Sequence, residues 1–558
     1  MWLLLLAFNL IGAWWSAHSA LDVLEEVRAE ASLSSLGEGD EVARLRVAEG
    51  RFQTARSRLR SVSVSPLRAL PVLGRQLRSG DHLSRVGADV AATGADALDS
   101  VRRRLDGGMP PGHERAGLFQ DLAQIATEAI DRLDSVDLGP SAALVGPLAD
   151  GRARAAEELH ELRDTLAQAR TASAGLGELF TGDSVQLLLL GNNAEMRAGS
   201  GMFLTVGTLL FDDGSLSVGE IVPTFDFQLP ESVPIDGDLA DRWGWLEPGR
   251  EWRNLGVTPR FDVTGPLAAR MWTAARGQQV DGVLAVDVLA LQAILAAVGP
   301  IEVDGRTLDA DNVVDDLLHD QYEGLDPEDP STQVERRGRL GQVAGETLQA
   351  LEGTGVDAAR LAEELAGAAR GRHILAWSGR PPVQEAWEAL ELDGALEPTD
   401  LLLSVLNRGG NKLDPYLSVD AQLAVVEAGP MTEVSIEIRL GNHALGDEPS
   451  YILGPSPPLE VAEGTYIGLV TVTLPGAAAA GRFDGVGSLA AAGPDGPTRV
   501  VAAPVEIPIG EERVVTLRFE LPSAIEQIRV LPSARTPLIS WQWGDRTWRD
   551  GSAETVAW

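Results

Sequence analysis

The chain has 558 residues, 44% of them hydrophobic, no cysteine and a formal net charge of −36. That length exceeds a single hydrophobic core and calls for about three domains. So acidic a balance excludes general nucleic-acid binding, which needs basic stripes, and the absence of thiols excludes disulfides, cysteine nucleophiles and thiolate metal sites.

The first element is the run "MWLLLLAFNLIGAWWSAHSA". A spanning helix needs ~20 mostly apolar residues, and Trp14 and Trp15 would sit at the headgroup level. Residues 1–21 therefore predict a transmembrane anchor, with a secretory signal as the alternative. Either reading exports the chain, and the anchor makes it a single-pass protein of the cell membrane with its bulk outside. Residues 22–180 then predict an α-helical stalk or bundle beside the membrane. Leu118, Leu122 and Ile125, then Leu159, Leu162 and Leu166, recur at helical spacing. "SPLRALPVLG" and "DGGMPPGHE" interrupt the helices.

The texture changes at Ser184. "SVQLLLLG" is a short apolar run of the kind a buried strand makes. "MFLTVGTLLFDDGSLSVGEIV" predicts two strands about a turn. "VDGVLAVDV", "LALQAILAAVG" and "PIEVDG" predict strand, helix and strand, and "RHILAWS" and "LLLSVLN" two strands more. Strands alternating with helices predict an α/β domain over residues 184–425. Residues 430–558 alternate β-branched and polar residues between Pro and Gly turns, which predicts a C-terminal β-sandwich.

Candidate chemistry clusters in four places. Asn192, Asn193, Glu195 and Arg197 follow a buried strand, where open α/β sheets bind ligands. "PGREWRNLGVTPRFDVTGP" carries Arg253, Asn254 and Asp262, and arginine suits bidentate contact with phosphate. "VERRGRL" places Arg336 and Arg339 on one helix face by the i, i+3 rule. In "NRGGNKLDPYL", Asn411 precedes Lys412, which is the sole lysine of the chain. A compact ammonium there either faces the Asn193–Arg197 loop or locks its own turn through Asp414; codon usage in an arginine-rich chain is the plain alternative. There is no GxSxG elbow, Walker loop or HExxH. The seven histidines are scattered, so any metal would be a hard one held by oxygen, such as magnesium.

"LLLLGNNAEMRAGSGMF", "WRNLGVTPRFD", "VDGVLAVDVLALQAILAAVGPIEV" and "NRGGNKLDPYL" together resemble the bacterial family known as domain of unknown function 4012 (DUF4012). Asn192, Asn193, Glu195, Arg197, Gly201 and Phe203 match its first motif, with Ser200–Gly201 in place of a glycine pair. Asn254 and Asp262 match the second across a longer insert. Asp281, Gly282, Val283, Asp287, Gly299 and Pro300 match the third. Gly409, Gly410, Asn411, Lys412, Asp414 and Tyr416 match the last. The resemblance covers residues 184–420.

A weaker similarity, in the order of elements, is to the LytR-CpsA-Psr family. Those are membrane-anchored phosphotransferases that move glycopolymers from polyprenyl-pyrophosphate carriers onto the cell wall, with magnesium and arginines around the pyrophosphate. The similarity implies a LytR-CpsA-Psr-like mixed sheet, Arg197 facing phosphates, and Arg336, Arg339 and Asp226 as weaker participants. It also departs: "VPTFDF" offers only Asp226 where an Arg-Asp pair belongs, and Leu340 follows Arg339 where a glutamine belongs.

Two functions are thus expected. One is a membrane-anchored cell-envelope protein that binds or transfers lipid-linked glycopolymer, with magnesium. The other is a non-catalytic envelope scaffold that binds a glycan or partner. A long apolar cleft beside Arg197 favours the first, and a closed polar surface the second.

Overall fold

The structure is a computed structural model and describes residues 2–30, 40–323, 330–353, 355–455 and 460–558. The chain divides into two compact units, Met1–Thr181 with Thr354–Glu363, and Gly182–Gly353 with Glu364–Trp558.

The first unit is helical. Its long elements are α1 (Trp2–Glu30), α2 (Asp40–Leu59), α3 (Leu73–Leu105), α4 (Glu114–Asp134) and α5 (Gly146–Leu179). Small buried residues on α3, among them Ala88, Ala91 and Ala95, let its neighbours approach closely. Asp81 of the same helix is buried against Arg60 at 2.8 Å and Arg68 at 2.9 Å.

The expectation of an N-terminal membrane helix is overturned. Among the described residues no helix is long and apolar enough to cross a membrane. The apolar run is diluted by Asn9, Ser16, His18 and Ser19. Instead α1 is a member of the bundle: Asn9 donates to Ser63 at 3.1 Å, Arg51 donates to the Ser19 carbonyl at 2.7 Å, and Ala20 packs with Phe52 and Ala88. The anchor, the transmembrane assignment and the single-pass location at the cell membrane fall with it.

The second unit contains one mixed sheet and a β-sandwich. The mixed sheet is built from β1 (Asp183–Met196), β2 (Gly201–Asp212), β3 (Ser215–Pro223) and β4 (Gly282–Asp287). A small hairpin follows, β5 (Ile301–Val303) and β6 (Arg306–Leu308), and β7 (Ile374–Ser378) completes the sheet in the order β3-β2-β1-β4-β7. β1 and β4 are parallel, and the other pairs are antiparallel. The helices of this region include α6 (Gly237–Trp243), α7 (Phe261–Arg276), α8 (Val288–Val298), α9 (Val313–Leu318) and α10 (Pro330–Ala350). Asp287 caps α8 by accepting from the N–H groups of Leu289 and Ala290 at 3.0 and 3.1 Å. Gly299, at φ 89°, ends it.

The sandwich strands are β8 (Asp400–Asn407), β9 (Leu417–Ala428), β10 (Met431–Asn442), β11 (Tyr466–Leu474), β12 (Ala479–Asp484) and β13 (Ala491–Asp495). They continue as β14 (Thr498–Ile507), β15 (Glu512–Pro522), β16 (Gln527–Leu531), β17 (Ser540–Trp543), β18 (Arg546–Arg549) and β19 (Glu554–Ala557). One sheet runs β12-β15-β10-β9-β17-β18, and the other β13-β14-β11-β8-β16-β19.

The run "LLLSVLN", expected inside the α/β domain, is β8 and lies within the sandwich, between β11 and β16. Its sheet is covered on both sides. Leu401, Leu403 and Val405 face the sandwich core, while Leu406 joins the core of the mixed-sheet layer. β14 does the same, with Val501 and Ala503 on one side and Val500 and Ala502 on the other. A strand buried on both faces carries no polar alternation, so this sandwich strand, antiparallel to β11 and parallel to β16, reads like an α/β one.

Candidate functional site

The segment Asn192–Arg197 comprises the end of β1 and the residue that follows it, and is wholly buried. The β1–β2 register breaks between Asn192 and Met196, a local irregularity that aims these side chains away from simple ladder positions. Gly201 makes the bend possible: a Cβ there would meet the Asn192 backbone at 2.6–2.9 Å. Gly199 is similarly confined by the Thr258 carbonyl, 2.8 Å from where a Cβ would stand.

Each side chain of the segment is committed inside the protein. Asn192 donates to the Tyr322 hydroxyl at 3.2 Å and accepts from Ala194 N–H at 2.8 Å. Asn193 donates to Asp287 at 2.7 Å and to the Ala534 carbonyl at 3.0 Å, and accepts from Val288 N–H at 3.2 Å. Glu195 forms an ion pair with Lys412, and the two residues are only 5% and 4% exposed. Arg197 donates to the carbonyls of Arg253 (2.8 Å), Met196 (3.0 Å) and Asn407 (2.8 Å), and to Asn254 Oδ1 (3.2 Å). Those contacts use four of the five guanidinium N–H groups. Burial lowers the Arg197 pKa to about 10, with Glu195 and Asp414 opposing the shift.

The last motif meets this segment from the sandwich side. Asn407, at the end of β8, donates to Asn411 Oδ1 and Asp414 Oδ2, each at 2.9 Å. Asn411 donates to the Thr465 carbonyl at 3.1 Å. Asp414 also accepts from Met196 N–H (3.0 Å), the Tyr466 hydroxyl (3.1 Å) and Arg535 (2.9 Å). Lys412 therefore faces the first-motif segment, and Asp414 is held by Arg535 instead. Burial opposes the Lys412 charge, but Glu195 together with Tyr322 and Tyr451 outweighs it and holds the ammonium above its ordinary pKa. The Lys412 ammonium also lies 5.7 Å from the Tyr451 ring centroid, and Tyr451 stacks on Tyr322.

The remaining candidates divide. Asn254 joins the cluster through Arg197 and donates to the Leu246 carbonyl at 2.8 Å. Arg253 lends its carbonyl but turns its guanidinium to Glu251 at 2.6 Å. Arg336 stacks over Tyr451, with its guanidinium carbon 4.2 Å from the ring centroid. Arg339 goes elsewhere, to the buried Asp316 at 3.0 Å. Asp262 pairs with Arg260 at 2.7 Å, and Asp226 lies 3.6 Å from Arg337. Sequence reasoning passed over Asn407, Arg408, Arg535 and three tyrosines, 322, 451 and 466. Rarity was the available signal for the last, because the chain has only four tyrosines.

The donors do not suit magnesium, which needs free oxygen ligands in near-octahedral array. Glu195 is closed against Lys412, and both Asp414 oxygens are already taken. Among the described residues, His319, Asp320 and Glu323 form the one group of three with ligand atoms within 4.8 Å, and His319 is paired with Asp320 at 3.2 Å.

Among the cavities of the described residues, two lie outside this cluster. One, of about 570 Å³, lies on the sheet face lined by Asp420, Gln422, Glu437, Arg439, Gln542 and Arg549. The other, of about 380 Å³, is lined by α8 residues and His373. His373 Nδ1 lies 2.7 Å from Asp287, the residue that also receives Asn193.

The Asn192–Arg197 segment and the GGNKLD turn converge on one buried cluster. Residues 182–322 match the family described as Protein of unknown function (DUF4012). The DUF4012 match ends at Tyr322, so the GGNKLD turn and the sandwich lie beyond it. No curated protein and no solved structure matches the chain.

Proposed function

We propose that this protein is a non-catalytic scaffold that binds a partner or glycan, and that its DUF4012 residues are framework rather than reaction machinery. One observation carries the reading: Arg197, the residue expected to face phosphates, spends its guanidinium on four internal acceptors. A phosphate would have to displace those carbonyls at a cost of roughly 1–3 kcal/mol for each group left unsatisfied. The Glu195–Lys412 pair beside it is equally closed. A transferase needs free cations around a pyrophosphate and a free carboxylate to activate the acceptor, whereas here the carboxylates of Glu195 and Asp414 are both paired and the charges of Lys412 and Arg197 are both committed internally.

What the framework supports is rigidity. Asp414 ties the end of β1 to β8, to β11 through Tyr466, and to the loop that carries Arg535. The mixed sheet and the sandwich are thereby held as one body able to present a fixed surface. Urea denaturation and glycosyl-phosphate transfer assays on Arg197→Lys test this. A loss of stability with no transfer activity in either protein is expected. A variant that keeps full stability but loses a measurable transfer activity of the parent would overturn it.

A further inference from the structure

The motif core leaves one cation over. Arg408 follows β8 directly, and among the described residues its guanidinium has no hydrogen-bond or ion-pair partner. Its contact is the ring of Trp245, with the guanidinium carbon 5.5 Å from the ring centroid. Other arginines of this unit are matched: Arg253 by Glu251, Arg260 by Asp262, Arg339 by Asp316, and Arg535 by Asp414. Arg408 is partly buried, and burial alone lowers its pKa from the ordinary value. Its neighbour Arg197 has the same charge. In a chain of net charge −36, a partly desolvated guanidinium without a carboxylate is an uncompensated cost.

Trp245 is the second half of the feature. It is 53% exposed, among the few large aromatic side chains of this unit left so open. Its indole N–H is already spent on the Arg242 carbonyl at 3.1 Å, so the ring offers its π surface and not a donor. Gly409 and Gly410 follow Arg408 and add no side chain to cover it.

We propose that Arg408 and Trp245 form a binding site for an acidic sugar, a pyranose that carries a carboxylate or a phosphate. The indole face suits the C–H face of a pyranose, and the guanidinium fork suits an oxyanion bidentately. The anion supplies the partner that Arg408 lacks. A polyanion would be repelled by the acidic chain, whereas a singly substituted sugar meets that field with little charge. The site rests on the reading of the chain as a binding protein and names the class of its ligand.

Titration calorimetry on the full chain tests it, with glucuronate, glucose 6-phosphate, glucose and inorganic phosphate as probes. At least one acidic sugar should bind roughly tenfold more tightly than both glucose and phosphate, and whichever binds tells carboxylate from phosphate. Arg408→Gln and Trp245→Ala should each weaken that binding by roughly tenfold or more. Arg408→Gln should melt no lower than the parent, because it removes an unpaired charge; Arg408→Lys should retain part of the affinity. Phosphate binding as tightly as glucose 6-phosphate would reduce the site to a bare anion pocket and overturn the proposal. So would the absence of binding by either acidic sugar, or unchanged affinity in Arg408→Gln. None of these failures touches the stability readout on Arg197, so the scaffold reading stands or falls separately.

Discussion

Lys412 and Glu195 stand 217 positions apart in the chain and form a buried ion pair between the end of β1 and the turn after β8. A pair of this kind stabilises little relative to well-packed apolar residues, but removing one partner strands the other charge. Lys412→Met should therefore cost ~3–5 kcal/mol. The double variant Lys412→Met with Glu195→Leu should recover most of that loss. Urea denaturation of the three variants decides it, and strictly additive losses would mean that the two groups do not act as a pair.

Arg197→Lys keeps the charge and gives up the fork. A lysine has three donors on one atom and cannot reach the Arg253, Met196 and Asn407 carbonyls together with Asn254. One lost hydrogen bond from a charged group is worth ~1.5–3 kcal/mol. The midpoint of urea unfolding should fall accordingly. An unchanged midpoint would place Arg197 on a surface that reorganises freely.

Much of this cluster was legible in the sequence, and for a physical reason. Lys412 stood out because every other basic residue is arginine, and the buried partner it requires is Glu195 in another quoted motif. The same logic extends to tyrosine. Of the four in the chain, Tyr322, Tyr451 and Tyr466 all converge here. Arg535 was not legible. It arrives from a loop 121 residues beyond Asp414 and resembles many other arginines in composition. The distinction between a phosphate-facing Arg197 and a carbonyl-facing one was also hidden, because both uses ask for the same residue after the same strand. The N-terminal run misled because an apolar helix edge in a bundle and a spanning segment share Leu and Trp. The difference lies in Asn9 and Ser19, whose groups engage Ser63 and Arg51.

Gly201→Ala tests the bend that buries the first motif. Its Cβ would meet backbone atoms of Asn192 at 2.6–2.9 Å, and backbone cannot rotate away as a side chain can. Overpacking of this kind costs ~1–3 kcal/mol. Thermal melts should show the loss. Gly237→Ala provides a comparison: nothing stands within 4 Å of its Cβ, although its φ of 54° disfavours a side chain. Gly201→Ala melting at or above Gly237→Ala would show that β1 and β2 have room to separate.

The last prediction concerns His373. Burial disfavours its charged form, but Asp287 at 2.7 Å prevails and holds the imidazole pKa above its ordinary value. A raised folded-state pKa means that the folded protein binds more protons than the unfolded one in the window between the two pKa values. Stability must then fall as pH rises through that window. The His373–Asp287 contribution is fully present below the unfolded-state value near ~6.5, and it is lost as pH passes the folded-state value above it. Asp287 also caps α8 and receives Asn193, so deprotonating His373 loosens a contact that the first motif shares. Melting temperatures measured from pH 6 to pH 9 should decline in the parent. His373→Gln should start lower at pH 6 and decline less, because its amide can still donate to Asp287 but cannot titrate. Parallel declines in the two proteins would assign the pH dependence to other groups and leave His373 neutral in the fold.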